Sequence, residues 1–330
     1  TYTTIAEYAK MSGRKVGVVS SVSIDHATPA SMYAKSASRG YYYEIAIQLA
    51  LSDFDYFGGG GFLQPKGKSN DLTSVIDLAK SKGYLVANTR DEILNLKPSK
   101  NKVLAINPVL QDSAAMKYEI DREEGELSLA DFVRKGIELL KDGPNGFFFF
   151  IEGGKIDWAC HANDAMAAIG DMLDFDNAVG VALEFQKQHP RETLIIVTGD
   201  HETGGMSIGH ATTAYTAYYD RLLGQKKSHQ YFGENQWPAH KAVYGPGGES
   251  NTCSDWQAPN NLEQNEAMLT LMSDVFGLHW NDLNTFQKEK LEDAYDKSLC
   301  GVNDNSTVSY THLRAHETPE HLVCRLLLEK

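Results

Sequence analysis

Six short apolar runs, at residues 15–21, 54–57, 84–88, 103–106, 146–151 and 193–197, constrain the fold of this chain more than any other feature. They are rich in β-branched and aromatic residues and continuously apolar rather than alternating, the mark of strands buried on both faces. Between them lie longer stretches with helical periodicity, at 41–51, 72–80, 129–140 and 162–188. Strands covered on both faces need helices on both sides. The pattern therefore predicts an α/β fold, a three-layer sandwich around a mostly parallel central sheet. Ligands of such sheets collect at the carboxyl ends of the strands, so the residues that follow each run are the candidates for a site.

Three of the runs lead directly into residues with metal-ligand chemistry. Run 15–21 continues to Asp25-His26-Ala27-Thr28-Pro29, run 146–151 to Glu152-Gly153-Gly154-Lys155-Ile156-Asp157 with His161 four residues on, and run 193–197 to Thr198-Gly199-Asp200-His201. In a parallel sheet the three clusters are expected to emerge at one edge and converge. Aspartate and histidine suit zinc, whereas threonine and glutamate oxygens suit magnesium. Asp157 and His161 stand at i, i+4 and share a face if the intervening turn is helical.

These motifs, in this order, resemble the alkaline phosphatase family over roughly residues 2–205. The resemblance implies two zinc ions and one magnesium ion. Asp157 and His161 would hold one zinc, Asp200 and His201 the other, and Thr28 and Glu152 the magnesium. His26 occupies a position that varies in the family between an acid and histidine, which implies an outer-shell role. Arg39, in Ser38-Arg39-Gly40, matches the family's phosphate-clamping arginine, whose planar guanidinium suits two phosphate oxygens at once. The implied activity is hydrolysis of phosphate monoesters through a phosphoserine intermediate. The alternatives are a phosphodiesterase or sulfatase of the same superfamily, or a non-catalytic metal-binding fragment. The family also implies a periplasmic or secreted location and leaves a homodimer open.

Two parts of the family pattern have no match. Its nucleophilic serine and an early aspartate are expected upstream of Thr1, where a helical pattern is already under way, and no C-terminal zinc-ligand histidine is evident. The fragment by itself is therefore expected to be inactive. Asp112-Ser113-Ala114 spells the nucleophile motif but follows the His26 segment, whereas the family order puts it before; a surface loop is the expectation there.

From 206 to 307 the texture turns polar and aromatic, read as a loop-rich insertion beside the core at 1–205. His210, His229 and His240 read there as surface polar residues. Residues 308–330 change character again and resemble a translated sequencing adapter, an expected foreign tail in which His312 and His316 only mimic a metal pair. Gly58–Gly61 followed by Gly67-Lys68-Ser69 is one residue too long for a nucleotide-binding loop and contains Pro65, so a tight strand-to-loop turn is expected instead.

Composition excludes other classes. A formal net charge of −13, from 31 basic and 44 acidic residues, argues against non-specific nucleic-acid binding. No apolar run is long enough for a membrane-spanning helix. The partners expected are small phosphate monoesters, and an acidic protein needs local positive charge to hold them. Four cysteines, Cys160, Cys253, Cys300 and Cys324, form no C-x-x-C pair, and their spacing fixes no compartment.

Overall fold

The computed structural model describes residues 2–204, 219–253 and 262–300. The chain divides into two compact units. Unit 1 comprises Thr1–Lys155 and Asp171–Thr198, and unit 2 comprises Ile156–Gly170 and Gly199–Lys330.

Unit 1 is built in chain order from α1 (Ile5–Met11), β1 (Lys15–Ser20), α2 (Ala27–Ala30), α3 (Tyr42–Leu51), β2 (Tyr56–Gly59), α4 (Val75–Ser81), β3 (Tyr84–Ala87), α5 (Arg90–Asn95), β4 (Lys102–Ile106), α6 (Leu129–Leu140) and β5 (Phe147–Glu152). The helix α7 (Gly154–His161) passes into unit 2, and α8 (Ala165–Gln188) returns to unit 1. The five strands form one sheet in the order β3-β4-β2-β1-β5, and every pairing is parallel.

Successive side chains of a strand face opposite ways, and the two cores follow that alternation. Val16, Val18, Phe57, Leu104 and Ile106 pack on one face with residues of α1, α3 and α4. Val19, Tyr56, Val103 and Ala105 pack on the other with α6 and with Ala178 and Val181 of α8. Phe148 and Phe150 of β5 join the first core, Phe147, Phe149 and Ile151 the second. Helix starts follow local chemistry: Thr4, Thr89 and Ser128 each close a capping box with a carboxylate three residues on.

Five of the six apolar runs are strands. The sixth is not. Residues 193–197 pair with no strand among the described residues, and Leu194, Ile196 and Val197 are 83%, 76% and 58% exposed. β5 is correspondingly half-buried along its whole length rather than covered on both faces. The stretch expected as one helix over 162–188 begins later, at Ala165, because Asn163 turns into the left-handed region (φ 54°) and Asp164 caps the new helix by accepting the Ala167 N–H at 3.1 Å.

Among its described residues unit 2 is helical: α9 (His229–Tyr231), α10 (Trp237–Tyr244), α11 (Glu266–Phe276) and α12 (Thr285–Cys300). Phe232, Trp237, Met268, Met272, Leu291, Tyr295 and Leu299 form its core. A Cys253–Cys300 disulfide ties the end of α12 to the segment after α10. His229 and His240 are buried, 4% and 6% exposed, against the expectation of surface residues. Partners explain it: His229 meets Asp164 at 3.1 Å, and His240 Nε2 meets the Tyr295 hydroxyl at 2.9 Å while its ring stacks on Trp237 and Tyr244. His210 and residues 308–330 lie outside the described residues, as do 206–218, 254–261 and 301–307 within the stretch expected as an insertion.

Candidate active site

The carboxyl edge of the sheet is laced together by backbone bonds. Ser21 N–H donates to the Glu152 carbonyl at 3.1 Å, Gly60 N–H to Ser20 at 3.1 Å and Ile24 N–H to Gly61 at 2.9 Å. The glycine run 58–61 is the strand-to-loop turn expected from sequence. Gly59 sits at φ 110°, and a β-carbon there or on Gly60 would collide with the carbonyl oxygen of Ser20 or Val22.

On this edge unit 1 gathers His26, Thr28, Arg39 and Glu152. Helix α2, which carries Thr28, packs against β1 and β5. Glu152 is the last residue of β5, in register with Ser20 of β1, whose hydroxyl donates to the Glu152 carboxylate. Arg39 is exposed and its Nη2 lies 3.2 Å from His26 Nε2. A guanidinium only donates, so His26 Nε2 accepts and its proton sits on Nδ1.

Beneath His26 lies Asp25, fully buried. Its two carboxylate oxygens receive the Leu63 N–H at 3.0 and 3.3 Å. Burial pushes this carboxyl up to about 6, against the lowering effect of that backbone bond.

Unit 2 holds the other four candidates. On α7, Asp157 Oδ1 and His161 Nε2 are 3.5 Å apart, as i, i+4 spacing on a helix requires. His201 Nε2 and Asp200 Oδ2 are also 3.5 Å apart. Thr203 joins the two pairs. Its hydroxyl donates to Asp157 Oδ1 at 2.8 Å and accepts from His201 Nδ1 at 3.0 Å. His201 Nδ1 also reaches the Glu202 carbonyl at 2.9 Å; that bond, with the Asp200 charge, raises the imidazole's pKa. Nδ1 is thus the donor nitrogen, which leaves Nε2, beside Asp200, as the nitrogen a metal would take once it carries no proton. The loop approaches α7 closely: at Gly204, φ 80°, a β-carbon would strike the Cys160 carbonyl. Burial, together with Asp157 and Glu202, pushes the Cys160 thiol up, away from nucleophilic thiolate.

The expected convergence of three strand ends at one sheet edge is thus corrected: the sheet supplies two, and Asp200-His201 follows a run that is no strand. Among the described residues no three His, Cys, Asp or Glu side chains cluster closely enough to hold an ion together. The donor chemistry nevertheless fits metal: each pair combines a carboxylate with an imidazole, and one imidazole already has its second nitrogen engaged. Ser20 and Thr203 carried no sequence signal, because each acts through a neighbour that only the fold supplies.

The sequence profile of the alkaline phosphatase family matches residues 1–56 and 59–278. The chain belongs to the alkaline phosphatase family. Alkaline phosphatase 4 of Bacillus subtilis is 32% identical over 70% of this chain and 49% of its own length. The tissue-nonspecific isozyme of Homo sapiens is 28% identical over 93% of this chain and 64% of its own. Among solved structures, the cold-active alkaline phosphatase of Shewanella sp. aligns with a TM-score of 0.65 at 27% identity, over 88% of this chain and 62% of that one. A TAB5 alkaline phosphatase variant, with magnesium bound in its M3 site, aligns at 0.52 and 36% identity over 61% of this chain and 56% of that one. The chain spans about half the length of the Bacillus relative.

Proposed function

We propose that this chain supplies the metal- and phosphate-binding part of an enzyme that hydrolyses phosphate monoesters. The observation that carries the reading is Thr203, which ties Asp157 to His201 within one unit and so links the two candidate zinc pairs. Asp157 and His161 would hold one zinc, Asp200 and His201 the other, and Thr28 and Glu152 a magnesium. When bound, the ions supply positive charge that stabilises attacking and leaving oxygens and offsets the chain's net charge of −13.

The chain's own residues then bind and orient. Arg39 is exposed and free to offer its guanidinium to two phosphate oxygens. His26 orients it through Nε2. Ser20 and Thr203 fix the carboxylates of Glu152 and Asp157. The phosphoserine step belongs to the whole-protein reading. Ser113, whose hydroxyl donates to Asp112 at 3.1 Å on a turn with φ 53°, is a poor candidate for it because it follows the His26 segment where the family order puts the nucleophile before it. The Cys253–Cys300 disulfide supports a location outside the reducing cytoplasm.

The test joins the upstream segment of a family member to this chain and measures aryl phosphate hydrolysis at alkaline pH with zinc and magnesium. Monoester hydrolysis that collapses in Asp200→Ala is the expected result. No hydrolysis, or a preference for diesters, would sink the phosphomonoesterase reading.

A further inference from the structure

Lys155 lies between the candidate ligands Glu152 and Asp157 in sequence, yet its side chain points away into the interior of unit 1 and is 0% exposed. Its ammonium sits 3.5 Å above the ring of Tyr118, itself 1% exposed, and interacts with the charge of Asp171 on α8. Its backbone N–H donates to Ser21 Oγ at 3.1 Å, at the end of β1.

The walls of this pocket are built from charge. Asp171, 6% exposed, accepts the Glu119 N–H at 3.1 Å. One turn along α8, Asp174 takes a two-pronged bond from Arg122 at 3.0 and 3.1 Å and the Leu129 N–H at 3.3 Å. Tyr118 N–H is held by Gln111 Oε1 at 3.1 Å, and Gln111 donates in turn to Asp121 at 3.0 Å. A buried ammonium is costly to desolvate, and an apolar side chain of the same length would fill the space without that cost. What the charge adds is a fixed position, because an ammonium seated on a π face within the field of a buried carboxyl tolerates little displacement.

We propose that Lys155 is a positioning residue: its buried ammonium stakes the Glu152–Lys155 turn to the Tyr118–Asp171 pocket and so fixes the Glu152 carboxylate for magnesium. The inference deepens the proposed function and rests on its assignment of magnesium to Thr28 and Glu152. It names the part of the chain that determines whether the Glu152 end of β5 is held ready for an ion.

The test uses the full chain, magnesium alone as the probe, calorimetric titration for affinity and urea unfolding for stability. Lys155→Met is compared with the double variant Lys155→Met/Asp171→Asn, which also removes the ionisable Asp171 carboxyl that burial pushes up to about 7. The expected result is that magnesium binding weakens by about tenfold or more in both variants, the range typical of losing a group that orients a ligand. Stability falls in the single variant and returns in the double. Recovery of magnesium affinity together with stability in the double variant would reduce Lys155 to a structural charge and overturn the proposal. So would a single variant that folds and binds magnesium like the wild-type chain. A wild-type chain that binds no magnesium would overturn the Thr28–Glu152 assignment itself, and with it this inference, and that outcome is distinct from the other two.

Discussion

Replacing Cys253 and Cys300 together by serine tests how much of unit 2 depends on its disulfide. The bridge spans 47 residues of sequence. Cross-linking a loop of that length removes roughly 14 cal/mol/K of chain entropy from the unfolded state, or about 4 kcal/mol at 25 °C. The core it reinforces is small, a single cluster around Trp237, Met272 and Tyr295, so the loss is a large part of what holds the unit together. The assay has a built-in selectivity. The described tryptophans, Trp158, Trp237 and Trp280, belong to unit 2, and unit 1 has none. Tryptophan fluorescence during urea unfolding therefore follows unit 2 alone. With a slope of about 2 kcal/mol per molar urea, the double serine variant is expected to unfold about 2 M earlier. A shift below about 0.5 M at unchanged slope would mean a contribution under about 1 kcal/mol, and would refute the loop-entropy reasoning for this bridge.

Thr203→Val keeps the shape and removes the hydroxyl that joins Asp157 to His201. Zinc affinity measured by equilibrium dialysis is expected to fall by about tenfold or more, and an unchanged affinity would remove Thr203 from the site. Asp25 has a folded pKa of about 6, raised above its unfolded value, so the folded state holds the proton more tightly. Its contribution to stability is full below about pH 4 and is lost as pH rises through about 6. In Asp25→Asn, unfolding followed by circular dichroism should lack that component of the pH dependence, worth at most about 3 kcal/mol; identical pH profiles for both proteins would contradict it.

Much of the scaffold was legible because burial leaves a pattern in the sequence. The runs at 15–21 and 146–151 became β1 and β5, and the i, i+4 spacing of Asp157 and His161 became a shared helix face. The run at 193–197 carries the same pattern, but apolar composition states a demand for burial and says nothing about whether a partner strand meets it. Tertiary proximity was illegible. Ser20 and Glu152 are 132 residues apart and meet only through the β1–β5 register. His229 and His240 looked like surface residues because residue type alone does not reveal the Asp164 and Tyr295 groups that make their burial affordable. The break at Asn163-Asp164 did have a signal, an Asn-Asp pair suited to ending one helix and capping the next.

The exposed run at 193–197 bears on how the protein behaves in the tube. Thr-Leu-Ile-Ile-Val is uncharged, free of proline and strongly β-forming, the composition that seeds cross-β stacking when it meets another copy of itself. Arg191 and Glu192 on one side and Asp200 on the other stand as gatekeepers. Beyond them, mutual repulsion from a net charge of −13 keeps molecules apart, and that repulsion is the part salt removes. Colloidal stability should therefore decline as ionic strength rises, so dilute, low-salt buffers suit this chain best.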